Sequence, residues 1–448
     1  MSRRAFLLAG FVPAALAAAV LAGRPVGLGA ARIALALVGV AVRATRTRDA
    51  WRSFCWLAAA ALALMPALRS AGWVAALSLL AAAVLASLGA SGARSSRAVA
   101  AGAVGWLRNL VAGLVLLVAV SLRATGARRV RRLGPAARGA ALAAVLLAIF
   151  VPLFVTADAA FAEIVDDAFT WDLSVDRTAD RVAIFVLVAG MAGALTLTAA
   201  TPAAAASGPR TPLLGRTEWR IALSVLDALF AAFVSLQLAA LFGGDEHVLR
   251  TAGLTYAEYA REGFAQLIAV AALTLAVIAL ARRDDRALRV LLGLLCALTL
   301  VVLASALKRL GLYEEAFGFT RLRLLAHGGI LWLAGLFVLV LVAGAARSAT
   351  WFPRATVVLA ALIGLGFGLA DPDAQIAEHN IARYERTGEI DLRYLAHLSP
   401  DAVPALARLP APLAERVLGP TRAELLAPDG LAGTSLGRAR ARALLTRR

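Results

Sequence analysis

Long apolar stretches alternate with short charged ones along most of the sequence. A stretch of about 17–25 residues with few or no charges can cross the roughly 30 Å hydrocarbon layer of a membrane as one helix. Twelve candidates meet this length, near residues 5–23, 26–42, 53–69, 71–90, 98–122, 137–156, 181–200, 219–241, 263–281, 287–307, 324–346 and 354–370. The pattern predicts an all-α fold, a polytopic helical membrane bundle of about 11–12 transmembrane helices.

The segment after residue 370 has a different pattern, because it is polar and interrupted by prolines. Ser399-Pro400-Asp401 is typical of an N-cap followed by a first helical turn, and Thr421 with Glu424 has the spacing of a capping box. We expect short helices packed together outside the membrane. The chain is thus divided into an Arg-rich N-terminal membrane region (1–139), a core transmembrane bundle (140–370) and a soluble helical C-terminal tail (371–448).

Composition supports the membrane prediction and excludes an ordinary soluble protein. Hydrophobic residues make up 61% of the chain, charged residues 17%, and the mean hydropathy is +0.79. The net charge of +18 is concentrated in residues 1–139, which hold 18 arginines and one acid, Asp49. These arginines cluster between the apolar stretches, which is typical of cytoplasmic loops. A nucleic-acid surface would need them on one soluble face among stacking aromatics, so we expect no nucleic-acid partner.

The same charges predict the topology. A cytoplasmic N-terminus places the arginines of 43–52 inside, as the positive-inside rule requires. If the stretch 98–122 also crossed, the six arginines of 123–138 would lie outside. We therefore expect 98–122 to be re-entrant, interfacial or buried, and Arg108 and Asn109 near its middle agree with this. The result is eleven crossings of a bacterial plasma membrane, with the N-terminus cytoplasmic and the C-terminus extracytoplasmic.

The residue types that most often hold metals are sparse. Two cysteines and four histidines are scattered along the chain, without the spacing of a metal site or a disulfide framework. We predict no bound metal and no cofactor.

Polar residues inside the predicted spans are the first candidates for a site, because an ionisable group in the membrane needs a partner or water. Asp227 is the clearest case, and helical spacing allows Ser224 and Gln237 to share its polar stripe. Arg108 with Asn109, and also Arg32, are candidate counter-charges. A buried Asp–Arg pair that fixes helix packing is at least as good an explanation as a proton or substrate site.

Polar residues of the predicted outer loops form a second set of candidates. The first long loop is acidic, and paired acids can hold a divalent ion or act as a general base, although an ordinary solvated loop is the better explanation. A second loop, around Tyr256, has the features of a helix start anchored at the membrane interface. The alternative is a loop that lines the mouth of the helix bundle. The candidates are Asp158, Glu163, Asp166, Asp167, Tyr256, Glu258, Tyr259, Arg261, Glu314 and Glu315.

Several stretches resemble a family of bacterial multi-pass membrane proteins known only as a domain of unknown function, the one numbered four thousand one hundred and seventy-three. The resemblance covers roughly 140–406 and implies the membrane architecture, but it brings no activity, cofactor or catalytic residue. The stretches are Leu153 to Phe161, Phe242 to Gly244, Gly253 to Phe264, Gly311 to Gly318 and Asn380 to Pro404.

Three functions are open from the sequence. The first is a non-enzymatic envelope or sensing protein that meets a protein partner through its outer loops or tail. The second is an ion-coupled transporter that uses Asp227. The third is an enzyme that acts on a lipid-linked substrate at the outer face, through the acidic loop. Apart from the lipid bilayer, no partner is identified, and the oligomeric state is open.

Overall fold

A computed structural model describes residues 2–124, 175–200, 215–242, 264–281, 285–346, 349–427 and 429–446. Every regular element within these ranges is helical. In the membrane region the helices are α1 Arg3–Leu21, α2 Leu28–Ala44, α3 Ala50–Ala63, α4 Met65–Leu68, α5 Gly72–Ser91, α6 Ser96–Ala103, α7 Gly105–Arg108, α8 Leu110–Ala124, α9 Val175–Ala200, α10 Arg216–Phe242, α11 Phe264–Leu280, α12 Arg286–Phe317, α13 Arg321–Ala345 and α14 Phe352–Leu369.

The chain after α14 is also helical, as the sequence predicts. Its elements are α15 Pro372–Thr387, α16 Leu392–Leu395, a 3₁₀ turn Pro400–Ala402, α17 Val403–Leu406, α18 Ala411–Leu426, α19 Gly430–Gly433 and α20 Leu436–Leu445. The capping box predicted at Thr421 is wrong, because α18 begins ten residues earlier and continues through Pro420. Glu424 forms an ion pair with Arg438 at 2.5 Å instead of capping a helix start.

Eight described helices or helix pairs are long and apolar enough to span a membrane, which confirms a polytopic helical bundle. They are Arg3–Leu21, Ala50–Leu68, Gly72–Ser91, Asp180–Ala200, Arg216–Gln237, Arg286–Phe317, Arg321–Ala345 and Phe352–Leu369. The predicted span 137–156 lies outside the described residues. Helix α12 extends well beyond its predicted span 287–307: it continues through Lys308 and Arg309 to Phe317 and is capped by Gly318, whose φ is +78°.

The described chain separates into two compact units. Unit 1 contains Met1–Ala206, Ala396–Pro404 and Glu415–Arg448, and unit 2 contains Ser207–Leu395 and Ala405–Ala414. The division of the sequence at 139 and 370 stays a prediction.

In unit 1, helix α1 packs against α9. In α1, Phe11 stacks on Phe185 of α9 at 6.0 Å, while Arg3 lies at the other end of α9, beside Ala200. Helix α1 is therefore antiparallel to α9. Small residues allow close approach, since a methyl group on Gly10 would overlap the Leu117 side chain of α8.

The segment over 98–122 is broken in the structure. Helices α6, α7 and α8 are separated at Val104 and Asn109. Near its start, Gly102 accepts a hydrogen bond from Ser87 close to the end of α5, and near its end Val120 lies beside Ala200 at the end of α9. Gly113 packs on Gly193, so α8 runs parallel to α9. The segment thus starts and ends at the same end of unit 1, which favours the re-entrant interpretation.

Unit 2 places α10, α11, α12 and α13 around one apolar core. Fully buried members include Leu223 of α10, Ala271 of α11, Leu295 of α12 and Phe337 of α13. Helix α14 packs on α13, and α15 then packs against α13 as well. The first helix of the predicted tail is therefore part of this unit, close to the turn that joins α12 to α13.

Candidate functional site

Among the described residues of unit 2, a rich polar cluster lies where the α12–α13 turn meets α15. Gly318, Phe319 and Thr320 form the turn. Thr320 caps α13 by accepting a hydrogen bond from the Arg323 backbone N–H. Gly318 has a φ of +78°, a left-handed conformation that favours glycine. The chain therefore reverses tightly here and exposes backbone groups that need partners.

One ion pair joins α13 to α15. Arg321 donates two hydrogen bonds to Asp373, from Nε to Oδ1 at 3.0 Å and from Nη2 to Oδ2 at 2.7 Å. The Asp373 side chain is fully buried, so this two-pronged pair compensates the cost of burying its charge. The Arg321 backbone N–H also donates to the Tyr394 hydroxyl at 2.8 Å. Burial raises the pKa of the Tyr394 phenol, so the hydroxyl stays neutral.

Asn380 of α15 holds the turn itself. Its Oδ1 accepts from the Phe319 N–H at 3.1 Å, and its Nδ2 donates to the Phe319 carbonyl at 2.9 Å. A side chain at position 318 would collide with Asn380 Oδ1. Glycine is therefore required at position 318 for two reasons, the backbone conformation and the close approach of Asn380.

Arg383, one turn further along α15, satisfies the end of α12. It donates to the carbonyls of Glu315 at 3.0 Å and Ala316 at 2.8 Å, two of the carbonyls that a helix leaves without an internal partner. It also pairs with Glu389 at 2.5 Å. Arg321, Asp373, Asn380 and Arg383 together form a clamp that fixes α15 to the α12–α13 turn.

Glu314 and His327 lie on either side of the turn that the clamp holds, near the end of α12 and the start of α13. Glu314 is 3% exposed, and its Oε1 is 3.3 Å from His327 Nδ1, which is within ion-pair distance but without hydrogen-bond geometry. The same His327 nitrogen lies 3.2 Å from the Arg323 carbonyl, so Nδ1–H donates to that carbonyl. Phe319 stacks on His379 with ring centres 4.3 Å apart. The arrangement is a half-buried acid–histidine pair under an aromatic cover.

Asp227 lies apart from the clamp, in the apolar core of unit 2. It is 4% exposed, and neither carboxylate oxygen has a hydrogen-bond partner among the described residues. Its helix neighbours one turn away, Leu223 and Phe230, are buried in the same core. Asp227 is therefore a buried acid without the pairing that Asp373 has.

The predicted polar stripe around Asp227 is only partly present. Gln237 is buried and accepts a hydrogen bond from Ser305 of α12 at 3.1 Å. Ser224, in contrast, is exposed, because its position on α10 faces away from the core. The three residues do not share one buried face.

The candidate counter-charges lie in unit 1. Asn109 donates to Thr198 of α9 at 3.0 Å, at the break between α7 and α8. Arg108 and Arg32 are exposed. Arg32, Arg108 and Asn109 belong to unit 1, whereas Asp227 belongs to unit 2.

Most outer-loop candidates lie outside the described residues. They are Asp158, Glu163, Asp166, Asp167, Tyr256, Glu258, Tyr259 and Arg261. Glu315 is exposed at the end of α12, beside the clamp. The enzyme hypothesis, which depends on the acidic loop, stays a prediction. Among the residues that are described, no group of three His, Cys, Asp or Glu side chains is arranged to hold a metal.

Sequence reasoning identified Glu314 and Glu315 but not the clamp around them. Arg321 and Asp373 are 52 residues apart, and each lies just outside an apolar stretch, where a charge is unremarkable. Asn380 and Arg383 fall in a stretch of the family resemblance, which is the one clue that the sequence offers.

The helices and their apolar surfaces define a class, the multi-pass all-α membrane proteins. The chain belongs to the family described as Domain of unknown function (DUF4153), whose model matches residues 56–409. The match confirms a family of unknown function, whereas the number four thousand one hundred and seventy-three is not confirmed. The match begins at residue 56, well before residue 140, where the resemblance in the sequence begins. No curated protein and no solved structure matches the chain.

Proposed function

We propose that this chain is a non-enzymatic protein of the bacterial plasma membrane, which senses a signal or binds a protein partner at its outer face. The binding surface is the exposed side of the clamp, including Glu315 and His379. The N-terminus is cytoplasmic and the C-terminus extracytoplasmic.

Unit 1 supports this topology through the positions of its arginines. One end of the unit carries Arg3 at the start of α1, Arg46 after α2 and Arg52 in α3. Arg94, after α5, pairs with Asp49 at this end. The positive-inside rule assigns such an end to the cytoplasm.

The opposite end of unit 1 carries the tail. The Leu28 N–H at the start of α2 donates to the Thr434 carbonyl at 2.9 Å. The Ser70 and Ala71 N–H groups before α5 donate to Asp401 at 2.7 and 3.0 Å. These contacts tie the tail to the end of unit 1 opposite the arginines, so the proposed topology puts this part of the tail on the outer side.

The clamp is the observation that carries the proposal. Its charged and amide groups bind the protein's own backbone and each other, so they fix a surface rather than present reactive groups. Rigid positioning of exposed groups lowers the entropic cost of binding a partner. Outside the membrane, such a surface favours recognition.

The test is a charge reversal on the exposed side of the clamp. Glu315→Arg should remove a partner that co-purifies with the full chain in lipid nanodiscs, measured by quantitative mass spectrometry. Glu385→Arg is the matched control, because Glu385 is exposed on α15 about 200° around the helix from Arg383. Loss of the same protein from both variants, or from neither, would contradict the proposal.

A second function, ion-coupled transport, is favoured by Asp227. An acid buried in a span without a partner is costly and is a default candidate for ion or proton movement. Proteoliposomes with an imposed proton gradient should then show flux that Asp227→Asn abolishes and Gln237→Leu retains. Equal flux in Asp227→Asn and the unsubstituted protein would exclude this role.

A further inference from the structure

A cavity of about 620 Å³ lies at the arginine-rich end of unit 1. It is half open and is lined by the start of α1, the end of α2, the start of α3, α8 and the end of α9. Its volume is within the range of about 300–1,000 Å³ that is usual for ligand pockets. Neither the clamp nor Asp227 belongs to it, since both are in unit 2.

The rim of the cavity is basic. Arg3 and Arg46 line it and are exposed. Arg52 also lines it and is held in place by hydrogen bonds to the carbonyls of Gly89 at 2.8 Å and Ala90 at 2.7 Å. The lining contains no Asp or Glu, and Ser2 and Thr47 add exposed hydroxyls. This set of groups matches a phosphate, which accepts several charge-assisted hydrogen bonds.

The wall of the cavity is apolar. Phe6 follows Arg3 by three residues on α1, so it lies on the same side of the helix and one turn deeper. Leu116 and Val120 of α8 and Leu197 of α9 continue this wall. Moving along α1 into the cavity, the lining changes from guanidinium to hydrocarbon within a single turn.

We propose that this cavity binds an anionic phospholipid, with its phosphate at Arg3 and Arg46 and the start of an acyl chain against Phe6, Leu116 and Val120. The apolar wall distinguishes a lipid from a free anion, because only an acyl chain covers that surface. The exposed arginines Arg3 and Arg46 distinguish an anionic headgroup from a zwitterionic one, whose ammonium they repel, whereas Arg52 already pairs with Asp49 at 3.4 Å. With the proposed topology, the lipid belongs to the cytoplasmic leaflet.

Native mass spectrometry of the full chain in a neutral detergent tests the proposal, with dioleoylphosphatidylglycerol and dioleoylphosphatidylcholine as probes. Phosphatidylglycerol should bind about tenfold or more tightly than phosphatidylcholine. The double variant R3Q/R46Q should weaken phosphatidylglycerol binding by about 10- to 30-fold. The control is R43Q/R48Q, which removes two exposed arginines of the same end that do not line the cavity, and it should change binding less than about threefold.

A second variant addresses the wall independently of charge. Val120→Phe fills the apolar side and should weaken phosphatidylglycerol binding while the chain still elutes as a single species. Calorimetric titration with inorganic phosphate should detect no binding that depends on Arg3 and Arg46.

Equal effects of the two arginine pairs would overturn the proposal in favour of general surface attraction. Equal binding of both lipids, or Arg3- and Arg46-dependent binding of phosphate alone, would overturn it as well. Unchanged phosphatidylglycerol binding by Val120→Phe would show that the acyl chain does not occupy this wall.

Discussion

Two buried acids of unit 2, Asp373 and Asp227, have nearly the same burial and opposite surroundings. Asp373 is fully buried and receives two hydrogen bonds from Arg321. Asp227 is 4% exposed and receives none from the described residues. The first is part of the clamp and explains how α15 is held. The second has no such compensation among the described residues, so we expect its burial to cost stability, which favours a role other than stability.

The difference has a simple physical basis. When a guanidinium donates hydrogen bonds to both oxygens of a buried carboxylate, the pair offsets the cost of desolvation. Removal of the guanidinium then lowers the free energy of unfolding. Without a partner, the cost is present all the time. Removal of the partner of Asp373 and removal of Asp227 itself should therefore change stability in opposite directions.

The largest effect is expected at the paired acid. Arg321→Ala leaves the Asp373 carboxylate buried and alone, and should lower the free energy of unfolding by about 3 kcal/mol, because Arg321 itself is partly exposed. Chemical denaturation in detergent measures it. Arg386→Ala, an exposed arginine of the same helix α15, should change stability by less than about 0.5 kcal/mol. Similar losses of stability in the two variants would show that the Arg321–Asp373 pair contributes no more than an exposed arginine does.

Two glycines with left-handed backbones test the turn that the clamp holds. Gly318→Ala should cost about 2–3 kcal/mol, because strain at a φ of +78° adds to the collision with Asn380. Gly388→Ala, at a φ of +74° with open space around it, should cost only about 1 kcal/mol. Thermal unfolding of both variants gives the comparison. Equal costs would mean that Asn380 does not constrain the turn.

The unpaired acid should respond in the other direction. Asp227→Leu removes a buried group without hydrogen bonds and should raise the free energy of unfolding by about 1–2 kcal/mol. Gln237→Leu in the same helix should lower it, because Ser305 loses its acceptor. Denaturant titration of the two variants decides the sign. A loss of stability in Asp227→Leu would reveal a partner for this acid.

The smallest effect is expected in the polar C-terminal tail, where Asp429 and Asp401 offer a second comparison of two acids in different surroundings. Burial alone would raise the pKa of Asp429, but hydrogen bonds from Arg438 and Arg442 hold it below its usual value. Burial raises the pKa of Asp401, although the Ser70 and Ala71 N–H groups oppose this. Asp429 therefore contributes stability that is present above its unfolded value of 3.8 and is lost as the pH falls through its lower folded pKa.

Asp401 has the opposite sign, because the folded state binds its proton more tightly. Stability should fall as the pH rises from 3.8 through its folded pKa, and Asp401→Asn should remove this slope. Asp429→Asn should instead remove the loss at acid pH. Unfolding measured from pH 3 to 7 shows both slopes, and slopes of the same sign would contradict the assigned environments.

The helices themselves were predictable, because the length of an apolar stretch decides whether it can span a membrane. The cost of polar residues in mid-span also indicated that 98–122 is not a simple crossing, although it did not predict the breaks at Val104 and Asn109. The same reasoning selected Asp227 and predicted a polar stripe shared with Ser224 and Gln237. It did not predict which of them are buried, because a helical wheel gives relative angles and not the direction of the core.

The clamp was not predictable from local pattern. Ion pairs such as Arg321–Asp373 join elements distant in sequence, and periodicity within one helix says nothing about its neighbour. The capping box predicted from the Thr421–Glu424 spacing was wrong for a related reason. Glu424 forms an ion pair with Arg438 of another helix instead of capping a helix start. Motifs at helix ends identify caps only where no such partner competes.

The exposed side of the clamp is where a partner should be found, and site-specific photo-crosslinking in intact cells tests this most directly. A photoreactive residue at His379, and separately at Glu315, should produce the same adduct, identified by mass spectrometry as one protein. The same residue at Glu385, on α15 but away from the clamp, should produce none. Adducts of equal yield at all three positions, or none at His379 and Glu315, would contradict a binding role for this surface.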